Sequence, residues 1–176
     1  MKLSIVIPAH NEAEHIAKTV KGILAAVQTP CEVLVTADHC SDRTEEIVRE
    51  MGTQYPNVKV ARNDERRGSF SNSIIASLKM ATGDYIVITM ADHCDDPTTI
   101  DRMVLEAENG ADVVSASRYM KGGKKIGGPK LQNILSRIVA VLLRVLWHIP
   151  LHDGANAFKL YRRSVLERVG YDIPNQ

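Results

Sequence analysis

The sequence predicts an α/β fold of three layers, helices on both faces of a mainly parallel sheet. Two observations lead there. Short apolar runs alternate with amphipathic stretches along most of the chain, as in successive βαβ units. The tetrapeptide Ala-Asp-His-Cys also occurs twice, at Ala37–Cys40 and Ala91–Cys94, each time directly after an apolar strand-like run. In a parallel sheet all strand C-termini share one edge, so two acidic turns at two strand ends are expected at one crevice.

The elements follow in order. Leu3–Ile7 reads as a strand stopped by Pro8, and Ile16, Val20, Ile23, Leu24 and Val27 recur at helical spacing, predicting a helix over Glu12–Val27. Glu32–Thr36 is strand two. Asp42 with Glu45 three residues on predicts a capping box for a helix ending near Met51-Gly52. Val58–Ala61 is strand three, followed by the basic loop Arg62–Gly68 and a helix bearing Ile74, Ile75, Leu78 and Ala81. Tyr85–Met90 is apolar almost throughout, as buried parallel strands are. Pro97 suits a first helical turn, with Asp96 as its N-cap and Ile100, Met103, Val104 and Ala107 on the buried face. Ala111–Ser115 is strand five. The stretch Lys121–Gly128 is Gly-rich and basic, and reads equally as a loop over an anionic ligand or as a surface linker. From Leu131 to about Trp147 runs a very apolar helix with Arg137 and Arg144 one heptad apart. It reads first as a core helix, and alternatively as one that touches lipid.

Bulk properties narrow the function. The 176 residues suit a single domain, and 44% hydrophobic content supplies a core. A net charge of +1 gives no general attraction to nucleic acid, and 5% aromatic residues make no stacking platform, so nucleic acid is not an expected partner. Met1–Pro8 reads as a strand and turn rather than a secretory signal, and no run reaches the roughly 20 apolar residues that span a bilayer. Cys31, Cys40 and Cys94 are an odd set, as in a reducing compartment. A cytoplasmic setting is expected, with peripheral attachment to the inner face of a membrane. His39, Cys40, His93 and Cys94 raise a zinc reading, but adjacent side chains in an extended turn diverge and chelate one ion poorly.

With these pieces in place the chain resembles the family 2 glycosyltransferases with the GT-A fold, in the branch that makes polyprenyl- or dolichyl-phosphate sugars. The motifs are Ser4-Ile-Val-Ile-Pro-Ala-His-Asn-Glu12, Val33–Thr44, Gly83–Pro97, Ser115-Ala-Ser-Arg-Tyr119 and Asp153-Gly-Ala-Asn-Ala-Phe-Lys-Leu-Tyr-Arg162, in the family's order. The resemblance implies donor contacts from Pro8, Ala9, Asn11, Glu12, Asp38, Arg67, Ala91 and Asp92, with Asp38 reading the base. It implies a divalent ion, Mg2+ or Mn2+, at Asp92 and Cys94, alone or with Asp95 or Asp96. Arg118 and Arg137 would meet the acceptor phosphate, and Asp153 would stand near the reacting sugar with Arg118. Asp153 would act as a base toward a hydroxyl or as an orienting group toward a phosphate. The implied reaction is inverting transfer from a nucleotide-diphosphate sugar to a polyprenyl phosphate, with residues 1–117 as the donor half and 118–176 as the acceptor half.

The chain also departs from the pattern. Met90 stands where most relatives have the first Asp of Asp-x-Asp, Ala37 replaces the first acid of the second turn, and Ser69 and Ser71 replace frequent glycines. Relatives continue past the position of Gln176, so a fragment and a compact variant both fit. A degenerate, non-catalytic nucleotide-sugar-binding or scaffolding protein is the alternative reading. Nucleotidyl transfer is disfavoured, because Pro8–Glu12 lacks that class's Gly-rich basic loop.

Overall fold

The computed structural model describes residues 2–63, 68–123, 138–139, 141–142, 145–146 and 152–171. Strand β1 (Leu3–Ala9) is central. Around it are α1 (Ile16–Ala26), β2 (Cys31–Ala37), α2 (Thr44–Gln54), β3 (Val58–Ala61), α3 (Phe70–Leu78) and β4 (Tyr85–Ile88). A 3-10 turn at Pro97–Thr99 leads into α4 (Ile100–Glu108), followed by β5 (Val113–Ser115), β6 (Lys159–Arg162) and α5 (Arg163–Arg168).

The strands form one sheet in the order β3-β2-β1-β4-β6-β5. β3, β2, β1 and β4 run parallel, while β6 is antiparallel to both of its neighbours. The register fixes the edges. Ala9 lies beside Ala37, and Ile88 and Ser115 both face Lys159. Hence the ends of β1, β2, β4 and β5 and the start of β6 all lie on one rim.

Alternation along the strands sorts the core into two layers. Leu3, Ile5, Ile7, Val33, Val35 and Val87 pack under α1, α2 and α4; Val6, Leu34, Ile86 and Ile88 face α3 and α5. This is the expected three-layer arrangement.

Some boundaries move, each for a local reason. The first helix begins at Ile16 rather than Glu12, because the turn before it is tied sideways to the second strand's turn. Glu12 N–H donates to Thr44 Oγ1 at 2.8 Å and Ala13 N–H to Asp42 Oδ2 at 3.0 Å. The capping box at Asp42 does not close, since Glu45 pairs with Arg49 instead. Asp42 still accepts from Thr44 N–H at 3.0 Å. Strand four stops at Ile88 rather than Met90, because the Met90 N–H is taken by the Asp95 carboxylate. The reading of residues 131–147 as a core helix is corrected for the part described. Ile138, Val139, Val141, Leu142, Val145 and Leu146 are helical and exposed, from 45% to 62%. The other residues of the predicted helix, including Arg137 and Arg144, and the glycine-rich stretch beyond Gly123 lie outside the described residues, as does Arg67.

Candidate active site

Three turns at the rim share one backbone device. Asn11, His39 and His93, after β1, β2 and β4, have φ of 55°, 49° and 59°. Asn and His enter this left-handed region more readily than most residues. The duplicated tetrapeptide therefore makes the same turn twice, with its aspartate just before the left-handed histidine.

The first two turns are stitched together. Ser41 N–H donates to Asn11 Oδ1 at 2.8 Å, Asp38 N–H to Ala9 O at 2.8 Å, and His10 Nδ1 lies 2.7 Å from Asp38 O. Pro8 and Ala9 form the buried floor of this end, while Asn11 is exposed above it. Asp38 is buried. Its Oδ1 accepts from His39 Nδ1 and Asn63 Nδ2, both at 2.7 Å, and its Oδ2 from Ser73 Oγ at 2.9 Å. Burial opposes its charge, yet these three donors outweigh it and hold the carboxyl below its usual value. The expected base reader is thus a braced group with both oxygens engaged.

The third turn is fastened to α1. Thr19 Oγ1 donates to Ala91 O at 2.7 Å, and the His93 ring lies against Gly22, where an added Cβ would stand 3.4 Å from it. Asp92 stays exposed at the rim, with Oδ1 accepting from Cys94 N–H at 3.1 Å. Burial, then Asp92, Asp95 and Glu12, raise the Cys94 thiol's pKa. A protonated, soft thiol suits a hard cation poorly, so a hard ion here rests on Asp92. Among the described residues no three His, Cys, Asp or Glu side chains converge as a metal cage, so the two His-Cys pairs do not assemble a zinc site. Magnesium needs no such cage when one or two carboxylates and the substrate's phosphates surround it, and Asp92 fits that requirement.

Across the rim Arg118, after β5, meets Asp153, before β6. Nε donates to Oδ2 at 2.7 Å, Nη2 to Oδ1 at 2.9 Å, and the Arg118 backbone N–H adds 3.2 Å. Asp153 is 1% exposed. Burial works against its charge, but Arg118 overrides this and holds the carboxyl below its ordinary range. Arg118 also lies over the Tyr119 ring at 5.4 Å.

Two further residues at this rim show their partners only in the structure. Lys159 is buried at the start of β6, where Nζ donates to Gly154 O and Asn156 O; burial lowers its pKa. Asp95 is half-buried below the Asp92 turn and accepts from Thr89 Oγ1 at 2.8 Å. No spacing rule marks Lys159. The sequence set Asp96 apart as the cap before Pro97, and the structure bears this out; what the sequence did not show is that Asp95 turns back onto Thr89 and Met90.

Comparison with known proteins places the chain in a family. Residues 4–170 match the family described as Glycosyl transferase family 2. The chain belongs to that family. It is 33% identical over 174 residues to a dolichol-phosphate mannosyltransferase of Pyrococcus furiosus, covering 96% of this chain and 48% of that protein. It is 27% identical over 169 residues to an undecaprenyl-phosphate 4-deoxy-4-formamido-L-arabinose transferase of Photorhabdus laumondii, covering 94% of this chain and 50% of that one. The chain therefore spans about half the length of these curated relatives. A glucosyl-3-phosphoglycerate synthase from Mycobacterium tuberculosis, solved with Mn2+, UDP and glucosyl-3-phosphoglycerate, superposes with a TM-score of 0.70 at 18% identity. That match covers 94% of this chain and 58% of that structure. A mannosyltransferase from Pyrobaculum calidifontis, solved with GDP-Man and Mn2+, gives 0.65 at 21% identity over 97% of this chain and 47% of that one. The family 2 chain thus has the GT-A fold. Among its described residues, no helix is long and apolar enough to cross a membrane.

Proposed function

We propose that this family 2 chain is an inverting glycosyltransferase domain. It moves a sugar from a nucleotide-diphosphate sugar to a polyprenyl phosphate of the dolichyl or undecaprenyl kind. The observation that supports this acceptor is the state of Asp153. A base for a hydroxyl acceptor needs a pKa near working pH and a free oxygen within reach of the proton. Asp153 has a depressed pKa, almost no exposure and an arginine on both oxygens. A phosphate acceptor is already anionic and needs no such base.

The residues divide the work along the rim. Pro8, Ala9, Asn11 and Glu12 form the turn against which the nucleotide lies, and Asp38 with its braced neighbours faces the base. Ala91 and Asp92 meet the diphosphate, with Arg67 as a further donor contact. Asp92, with Cys94 beside it, would hold a divalent ion, Mg2+ or Mn2+, which when bound would supply neutralising charge for the leaving nucleotide. Arg118, oriented by Asp153, presents its remaining N–H groups to the acceptor phosphate, and Arg137 would join it. An acceptor phosphate oxygen then forms the bond to the anomeric carbon while the carbon–diphosphate bond breaks on the opposite face. Residues 1–117 serve the donor and 118–176 the acceptor. The exposed apolar residues between Ile138 and Leu146 support peripheral seating on a membrane, where such an acceptor resides.

The test is nucleotide release from a panel of UDP- and GDP-sugars, with Mg2+ or Mn2+ and either a short polyprenyl phosphate or a simple alcohol acceptor. Turnover with the phosphate, lost in Asp92→Asn, is expected. Turnover only with alcohols would overturn the acceptor assignment. Metal-dependent nucleotide binding with no turnover on any pair would make the chain a binding protein.

A further inference from the structure

Asp95 has a geometry that the family motif does not explain. It lies at the end of the loop that begins after β4, and one of its oxygens closes that loop. Oδ2 accepts from both Thr89 Oγ1, at 2.8 Å, and Met90 N–H, at 3.1 Å. Thr89 is buried, and its own N–H continues the ladder onto Val6 O at 3.1 Å. The carboxylate therefore anchors the loop's far end to Thr89, the residue that follows β4 and still bonds to β1. Between the two ends stands Asp92, its carboxylate exposed. Two further fastenings hold the loop's middle, Thr19 on Ala91 O and His93 on Gly22. Neither one fixes the return of the chain from Cys94 to Pro97. Asp96 is occupied elsewhere, accepting from Thr98 N–H at 3.0 Å as a cap.

We propose that Asp95 is the positioning residue for Asp92 in the transfer reaction, bracing from below the turn that offers Asp92 to the metal and diphosphate. The proposal rests on the functional reading above for the identity of those partners. Its physical core, a carboxylate that rigidifies the Asp92 turn, stands apart from it. The brace matters more here than in a chain with two motif acids. Met90 supplies no side-chain oxygen, so of the two motif positions only Asp92 offers the donor's diphosphate an exposed carboxylate. A ligand oxygen that wanders loses affinity steeply, and loss of an outer partner of a metal ligand typically weakens metal binding by about 10- to 100-fold.

Three variants and two measurements decide it. Both bonds end on one oxygen, so Asp95→Asn keeps a carbonyl able to accept both, whereas Asp95→Ala removes the acceptor. Amide hydrogen exchange across 89–96 needs no ligand. Asp95→Ala is expected to lose protection at Met90 and its loop neighbours while Asp95→Asn keeps it. Unchanged protection in Asp95→Ala overturns the proposal, whatever the protein's substrate proves to be. Calorimetry with UDP and with GDP, each with and without Mn2+, reads the consequence. Asp95→Ala should weaken the Mn2+-dependent part of binding about tenfold, as expected for an outer partner. Asp95→Asn should restore most of it. The double variant Asp92→Asn with Asp95→Ala should bind no worse than Asp92→Asn alone, since a residue acting through another is silent once that other is gone. Should Asp95→Asn fail like Asp95→Ala in Mn2+-dependent binding while keeping loop protection, the positioning role is overturned in favour of direct contact. Should the wild-type chain bind neither nucleotide, the functional reading fails, and hydrogen exchange alone decides the role of Asp95.

Discussion

Arg118 grips Asp153 at two points, Nε on Oδ2 and Nη2 on Oδ1, at 2.7 and 2.9 Å. Asp153 is sealed, whereas the Arg118 side chain keeps 31% of its exposure. The pair thus presents one partly wet cation on a dry acid. Arg118→Ala strands the buried carboxylate, and Asp153→Ala removes the group that aims the guanidinium. Each should cost about 3 kcal/mol in urea unfolding, the lower end of the range for breaking a buried pair because Arg118 is partly solvated. Both should abolish transfer to a phosphate acceptor. Single variants that unfold within about 0.5 kcal/mol of wild type would show that the pair is not structural.

The same pair sets a pH dependence. The folded-state pKa of Asp153 lies below its unfolded value of about 3.9, so its stabilisation is fully present above that value and is lost as pH falls through the folded one. Asp38 acts in the same direction. Asp95 has the opposite sign: burial, aided by Asp92, raises its pKa, so its ionisation opposes folding near neutrality. Asp153→Asn should therefore flatten the fall in stability as pH drops below about 4. Asp95→Asn should be at least as stable as wild type at pH 7. Denaturant midpoints across pH check both, and an Asp153→Asn acid limb as steep as wild type would contradict the first.

What the sequence displayed was periodicity and chain order. The runs at Leu3, Glu32, Val58 and Tyr85 became parallel strands because apolar stretches bounded by turn residues leave few other folds. The repeated Ala-Asp-His-Cys indicated the rim because strand C-termini share an edge. Side-chain partnership was hidden. Nothing in linear order says that Asp153 and Arg118, expected to serve separately, neutralise one another, or that Asp38 has both oxygens engaged. β6 could have been read from the alternation Phe158-Lys-Leu-Tyr-Arg162. Its antiparallel placement between β4 and β5 depends on a crossover that local pattern does not encode. Apolar content alone made residues 131–147 look like core, because hydrophobicity reports a preference for leaving water and not what covers the face.

At the other end of the sheet, Glu32 is fully buried and joins three segments. Its Oε1 accepts from Ser4 Oγ at 2.8 Å and from Thr82 N–H and Oγ1, both at 2.7 Å; Oε2 accepts from Lys59 Nζ at 3.1 Å. Glu32→Ala leaves Ser4, Thr82 and Lys59 without this acceptor and should cost about 3 kcal/mol, as loss of a buried charged acceptor does. Gly83→Ala should also destabilise, since a Cβ there would stand 2.5 Å from Ser4 N and 2.7 Å from Leu3 C. Both changes lie opposite the candidate site. Nucleotide affinity of the folded fraction should hold while the urea midpoint drops. A drop in affinity at full folding would show that the two ends of the sheet are coupled.

The described helical residues between β5 and β6 carry a prediction about binding to a lipid surface. Ile138, Val141, Leu142 and Val145 follow one another at intervals of three, one and three, with Val139 and Leu146 flanking them, all at least 45% exposed. On a helix these positions form a single broad apolar face. Exposed continuous apolar faces of this kind mark contact with a partner or a membrane. The acceptor proposed above has its phosphate at the bilayer surface, which favours the membrane. Arg137 and Arg144 in the same stretch of sequence would add attraction to anionic headgroups, on the order of 1 kcal/mol each. The chain should sediment with vesicles containing anionic lipid, less at high salt. Val145→Asp with Leu146→Asp should release it without changing the urea midpoint, because neither side chain is in the core. Equal sedimentation of that double variant would rule this face out as the membrane contact.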